Sequence, residues 1–589
     1  MDPPRVSKRG HKLHLSYELP HRIHAARIYP LLAPNGSTLI IYAHDHGLRL
    51  LWRGGRRRRG PSMPPKSNGV KHDEMILIDD TDDAQDGDEW EAEEEELDPD
   101  CPCPHIIHTL DIVLGRDASR PDGCAVLHLE LPVLHSSPST PTLLKKMAIV
   151  AVALADGSCQ ILQLPLTPPS AANEASVADN IYRSAVELTA RGTPIPASLA
   201  IKFLPADETR PRSHSGPLQS LDDQLLIATA SRTLSIWAVS VKTNKLVCSE
   251  NTLVRKTPLS SSAVGISFHP SSRLGQLLLT DTSGAARIFD LHKPRSSTQA
   301  GDWIMAYHTS HHIPKDTPDL DPTLTRRKKI LGAEWVLAGK GILVLQEDGE
   351  WGIWDVNSSQ TGKQVEDFAL RGFLGTSSST EQTEPSKSKR GVSKLAPMTP
   401  NTRKTKAEQL FTGAVRAPGV APSGGITVQL NNPRIGQADE SVAIWYGGEV
   451  YSITSTQAFW QRSTSSGGGF GSLHAPGLSH ITDISLSNET ISSISQFSVK
   501  GSAGLGQMNT QRDLLVSAEH RAVVLQTQRP DKPARNLFQR QIDERPAEAM
   551  RDQHMLDAGG LDVEGLDRML EDMAAGTTNT VTRKVGFAS

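Results

Sequence analysis

The chain of 589 residues is poor in the features that mark several large classes of protein. Its 5 cysteines, at positions 101, 103, 124, 159 and 248, are odd in number and irregular in spacing, which argues against a disulfide framework. Charge of one sign is lacking too: 62 Lys and Arg stand against 66 Asp and Glu, so no global field points to nucleic acid or membrane. The longest apolar run, residues 147–155, falls far short of the roughly 20 residues that cross a bilayer. The opening MDPPRVSKRG has no apolar core and does not read as a signal peptide. A soluble intracellular protein is expected. No phosphate-cradling glycine loop, no GxSxG and no HExxH occurs, so neither an enzyme nor a cofactor is expected.

What the chain does have is 46 glycines and 39 prolines, which favour turns over long helices, and a recurring unit. Residues 274–291 read LGQLLLTDTSGAARIFDL, and residues 340–356 read KGILVLQEDGEWGIWDV. Each has an apolar run, a polar turn (Ser283-Gly284, Asp348-Gly349), a second alternating run and an aromatic-Asp pair. Two such runs around a Gly-containing turn predict a β-hairpin. A hairpin alone cannot bury its face, so the unit must recur.

It recurs seven times, each copy a leading strand followed by a hairpin. Leading strands are expected at 23–30, 125–132, 198–205, 263–270, 330–336, 425–430 and 491–499. The matching turns are Asp45-His46, Asp156-Gly157, Ser231-Arg232, Ser283-Gly284, Asp348-Gly349, Gly447-Gly448 and Glu519-His520. Where no insertion intervenes, the period is the roughly 40–50 residues of one propeller blade. The leading strands alternate in and out and read as central strands of small sheets. Outer strands are expected from segments such as 106–114, 303–308 and 458–462, and residues 13–19 alternate well enough to close the ring. The fold class is therefore all-β, a seven-bladed WD40-like β-propeller over residues 1–530. The repeat is degenerate: only Trp354-Asp355 keeps the WD dipeptide, while Phe289-Asp290, Trp237-Ala238 and Trp52-Arg53 are partial. These aromatics are expected to close the hydrophobic layers of the blades.

Insertions at 53–104 and 373–420 are expected to be disordered, the first strongly acidic beyond Asp79 and the second rich in Ser, Thr, Pro and Lys. A tail, 531–589, carries the marks of one short helix near 562–575. Asp562 suits its N-cap and Gly576 its stop. Val563, Leu566, Met569, Leu570 and Met573 draw one apolar stripe flanked by acids, so the helix wants a groove with a basic rim. The groove belongs either to the propeller itself or to a partner; without one the tail is idle.

Candidate chemistry is sparse. Cys101, Cys103, His105 and His108 are metal-ligand types, but their spacing fits no closed zinc site and Ile106-Ile107 reads as a strand start. No metal is expected. The run RGGRRRRG adjoins a larger acidic block that competes for it, so it reads as a solvated loop or nuclear-import patch. Met75, Ile76, Leu77 and Ile78, followed by acids, resemble SUMO-interaction motifs that add a strand to a partner's sheet, the other reading being an inert loop.

The opening SYELPHRIHAARIYP…TLIIYAHDHGLRLLWRGGRR with its acidic insertion resembles the small β-propeller nucleoporins of the Y-shaped outer-ring complex. That resemblance implies a non-catalytic scaffold subunit of the nuclear pore, at the nuclear envelope. It would dock on the large propeller-plus-helix nucleoporin forming one short arm of the Y, with no nucleic-acid or membrane contact of its own. The resemblance carries no mapped contact residues. A WD40 adaptor or reader in a chromatin or ubiquitin-ligase complex, with its ligand at the central channel, is the alternative.

Overall fold

Alternating apolar residues around short turns fold as expected: all seven hairpins form, each in a separate antiparallel sheet. The computed structural model describes residues 3–9, 12–56, 105–116, 120–134, 141–170, 173–206, 223–242, 246–247, 252–271, 274–291, 303–311, 326–357, 367–374, 422–430, 439–465, 478–482, 484–497 and 513–527. Ahead of the blades run β1 (Arg5–Arg9) and β2 (Lys12–Glu18). Blade 1 is β3 (Ala25–Ile28), β4 (Thr38–His44), β5 (Gly47–Arg53) and β6 (Ile106–Val113). Blade 2 is β7 (Val126–Glu130), β8 (Met147–Leu154), β9 (Cys159–Pro165) and β10 (Val186–Thr189). Blade 3 is β11 (Ser198–Leu204), β12 (Gln224–Ala230) and β13 (Thr233–Val241), with β14 (Leu246–Val247) and β15 (Leu253–Pro258) both pairing β13. Blade 4 is β16 (Ala263–Phe268), β17 (Gln276–Asp281), β18 (Ala285–Asp290) and β19 (Trp303–His308). Blade 5 is β20 (Ile330–Val336), β21 (Gly341–Gln346), β22 (Glu350–Asp355) and β23 (Leu370–Phe373). Blade 6 is β24 (Gly424–Leu430), β25 (Glu440–Tyr446), β26 (Glu449–Ile453) and β27 (Ser479–Ile481). Blade 7 is β28 (Ile491–Phe497), β29 (Asp513–Ala518) and β30 (Arg521–Thr527).

β2 completes blade 7 by pairing with β30, from Lys12 opposite Thr527 to Glu18 opposite Arg521, and β1 lies outside it. The first and last strands of the propeller thus share one sheet, as expected for 13–19. The leading strands β3, β7, β11, β16, β20, β24 and β28 touch one another in that order and back to β3, so the ring is closed.

Two expectations fail. The leading strands are not central in their sheets; each is an edge strand, and that edge faces the next leading strand. Their alternation reflects burial between blades on one side and the ring's interior on the other. Residues 458–462 are not an outer strand but part of α3 (Thr456–Ser465), and β27 takes the outer place in blade 6. Ser455 starts the helix, its Oγ accepting the Ala458 N–H at 3.2 Å. Ala458, Phe459 and Trp460 are consecutive apolar residues without strand alternation, and Phe459 packs on Trp351.

Aspartates set several of the turns. Asp156 Oδ1 accepts the Ser158 N–H at 2.9 Å, Asp281 Oδ1 the Ser283 N–H at 2.9 Å, and Asp348 Oδ1 the Glu350 N–H at 3.1 Å. Gly284 follows with φ of 77°, where a Cβ would run into Thr309 and the Lys328 carbonyl. The aromatics close the layers as expected: Trp52, Phe289 and Trp354 are fully buried, and Trp354 stacks between Tyr307 and Phe368. Cys124 and Cys159 are free and buried.

Candidate docking surface

A four-stranded meander puts its turns on two opposite faces of the ring. The seven hairpin turns and the links between blades share one face, called here the hairpin face. The connections from first to second and from third to fourth strand share the other, the insertion face. α1 (Thr142–Lys146), α2 (Glu174–Ser184) and α3 all belong to the insertion face by this rule. Among the described residues, blade 2 carries two of them. Trp52 of blade 1 donates its indole N–H to the Leu166 carbonyl at 2.7 Å, tying the approach to α2 to its neighbour. His108 Nε2 lies 3.5 Å from Glu174 at the start of α2.

Between α1 and α2 runs a groove of about 570 Å³ lined by Leu143, Met147, Pro165, Val177, Ile181 and Arg183. Leu143 and Ile181 are buried and anchor the two helices to the sheet, while Val177 and Met147 are half-buried and face the opening. Lys145, Lys146 and Arg183 end the two helices, where the C-terminal dipole favours cations, and all three are exposed. Two exposed apolar residues belong to the same face of blade 2: Val133, 57% exposed, in the β7–β8 connection, and Tyr182, 39% exposed, in α2. The result is an apolar trough with a basic rim, a shape and charge suited to an amphipathic acidic segment of another protein.

The ring's interior is organised differently. Polar side chains there tie each blade to its neighbour. Arg27 pairs Glu130 at 2.6 Å between blades 1 and 2, and His128 Nε2 lies 3.1 Å from the Pro196 carbonyl ahead of blade 3. Ser198 Oγ accepts the Ile266 N–H at 3.1 Å, and Ser267 Oγ donates to Glu334 at 2.5 Å. Glu440 accepts the Leu337 and Ala338 N–H groups at 2.6 and 2.7 Å, holding a turn whose residues both have positive φ. Gln496 Nε2 donates to the Thr427 carbonyl at 2.8 Å, and Ser493 Oγ accepts the Ala26 N–H at 2.9 Å. Every seam of the ring therefore carries a side-chain hydrogen bond or ion pair. Burial pushes the Glu334 carboxyl up to about 7, with Glu130 adding to the effect and the Ser267 hydroxyl opposing it.

The residues singled out in the sequence are placed unevenly. Met75, Ile76, Leu77 and Ile78 lie outside the described residues, as do Val563, Leu566, Met569, Leu570 and Met573, and Cys101 and Cys103. His105 is exposed, and His108 lies in β6, which starts at Ile106. Arg53 and Phe373 close β5 and β23; the insertions beyond them, 57–104 and 375–421, lie outside the described residues. Sequence reading missed α1, α2 and their groove. The signal available was the basic pair Lys145-Lys146 before a β run and the 3.6-residue spacing of Val177 and Ile181.

The model of the family described as the nucleoporin NUP37 N-terminal domain matches residues 16–525. The chain belongs to that family. The match begins in β2 and ends in β30, the two strands that close the ring, so the family unit is the whole propeller. Nucleoporin NUP37 of Chaetomium thermophilum is 28% identical over 529 residues, covering 79% of this chain and 68% of that protein.

Proposed function

We propose that the chain is a non-catalytic structural subunit of the outer-ring scaffold of the nuclear pore, docking on the large propeller-plus-helix nucleoporin of one short arm of the Y. The family match across the entire ring carries this reading. The insertion face around blade 2 supports it, because a rigid ring offers a wide face rather than a ligand pocket. Stable interfaces bury roughly 1,200–2,000 Å² or more, which the groove with Val133 and Tyr182 can nucleate. In this reading the tail stripe Val563, Leu566, Met569, Leu570 and Met573 is a second docking element, and Met75–Ile78 a site for a partner's sheet edge.

The adaptor or reader, with a ligand at the central channel, is the alternative reading. Affinity purification of the tagged chain from nuclear extract tests the choice. Stoichiometric outer-ring nucleoporins are expected; histones or a ubiquitin-ligase core in their place would overturn it. With the purified arm subunit, Val177→Asp combined with Arg183→Glu weakens binding while the melting temperature holds. Unchanged binding removes blade 2 from the interface.

A further inference from the structure

A side-chain cluster on the hairpin face has no part in that reading. His21 lies in the link that leads from β2, the closing strand, into blade 1; His44 ends β4, and Asp111 is in β6. A ring nitrogen of each histidine and a carboxylate oxygen of Asp111 lie within 4.8 Å of one another. The two imidazoles stack with centroids 4.2 Å apart. His44 is only 2% exposed, and its Nε2 is buried without a hydrogen-bond partner. A buried polar atom left in that state is costly, and nothing in blade packing requires it.

We propose that His21, His44 and Asp111 bind a divalent transition-metal ion of the zinc class, which staples the ring's closing link to blade 1. Two imidazoles and one carboxylate are a donor set that such ions accept, and three protein ligands leave a fourth position to water. A tetrahedral ion with bonds of about 2.0–2.1 Å holds its donors about 3.3 Å apart. His44 is fixed by the sheet, so His21 and Asp111, which both reach solvent, turn toward it.

The surroundings suit that role. His44 Nδ1 accepts the His46 N–H at 3.2 Å, and the ring also hydrogen-bonds the Leu48 backbone. Binding through Nε2 puts the ring proton on Nδ1, so the His46 N–H must release that nitrogen and a backbone acceptor such as that of Leu48 take its place, a local adjustment of the β4–β5 turn. Arg49 Nε lies 3.2 Å from Asp111 Oδ1 and forms an ion pair with it. The positive charge of Arg49 lowers the affinity of the site for any cation, a cost that coordination by the two imidazoles and the carboxylate has to overcome. Since the unfolded chain does not bring the three together, binding stabilises the closed ring by mass action.

The test uses the full chain, stripped with a chelator and titrated with Co²⁺. One equivalent is expected to give the visible absorption of tetrahedral cobalt, and Zn²⁺ to displace it. His44→Gln and Asp111→Asn each lower the affinity about tenfold or more. Asp111 has an exposed side chain, so its variant folds even where the His44 one does not. Zn²⁺ raises the melting temperature of the parent and not of D111N. The double variant C101S/C103S keeps the signal. A silent titration, a signal that survives in both D111N and H44Q, or one lost with the two cysteines would each overturn the proposal.

Discussion

The Lys202 ammonium lies 2.8 Å from the carbonyl oxygen of His269, so one side chain of blade 3 closes a loop of blade 4. The same Nζ donates to the carbonyls of Ser271 at 2.6 Å and Leu274 at 2.8 Å. Burial pulls its pKa down to about 8, which still leaves the charged form predominant at neutral pH. Lys202→Met keeps the length of the side chain and leaves those carbonyls without their donor. The expected loss is about 2–3 kcal/mol in denaturant unfolding. A midpoint equal to the parent's would mean that water replaces the ammonium without cost.

Glu334 gives a pH dependence of definite sign. Its carboxyl is raised from 4.5 to about 7, so between those values the folded state binds a proton that the unfolded state has lost. The contribution to stability is complete below about 4.5 and disappears as pH rises through about 7. Glu334→Gln stays neutral, and its amide oxygen still accepts the Ser267 hydroxyl. Relative to the parent, the variant therefore gains about 1–3 kcal/mol on passing from pH 5 to pH 8. Parallel melting curves for the two proteins across that range would remove Glu334 as a titrating group.

These seam contacts show where sequence reading stops. The seven hairpins were legible because alternation and a turn residue lie within about twenty neighbouring positions. The closing strand was legible from its own alternation, LHLSYEL. Ala26 and Ser493, by contrast, are 467 residues apart, and nothing local in either announces the bond. The same distance problem hides His21, His44 and Asp111 from each other. The misreading of Ala458–Arg462 has another cause: a short apolar run has no period of its own, and Ser455 as N-cap decided for helix. β1 was unreadable because all five of its residues are exposed, so no burial pattern marks it.

Two glycines in equivalent hairpins separate turn geometry from composition. At Gly284 the φ of 77° is one that L residues rarely adopt, and a Cβ would meet Thr309 and the Lys328 carbonyl. At Gly448 nothing lies within 4 Å of the added carbon. Gly284→Ala is expected to cost about 1–3 kcal/mol and Gly448→Ala to leave stability within about 0.5 kcal/mol. Thermal melting of the pair checks this, and equal losses would show that the turn of blade 4 relaxes around a methyl group.

The closing sheet offers the sharpest contrast. β2 buries Leu13, Leu15 and Tyr17 against the adjoining blades, Leu15 completely. β1 pairs with β2 over five residues yet leaves every one exposed. Apolar burial rather than ladder length should therefore decide what closes the ring. Removing residues 1–9 is expected to cost no more than about 1 kcal/mol, since strand pairing without burial contributes little. Leu15→Asp places an unpaired charge in the seam between blade 7 and blade 1, a change expected to exceed about 4 kcal/mol. It also frees the edge of β30, and an unpaired edge recruits further strands. Size-exclusion chromatography with light scattering should then show a monomer for the truncated chain and aggregates for L15D. If instead the truncation aggregates while L15D stays monomeric, the outer strand is what holds the ring shut, and the buried register of β2 is secondary.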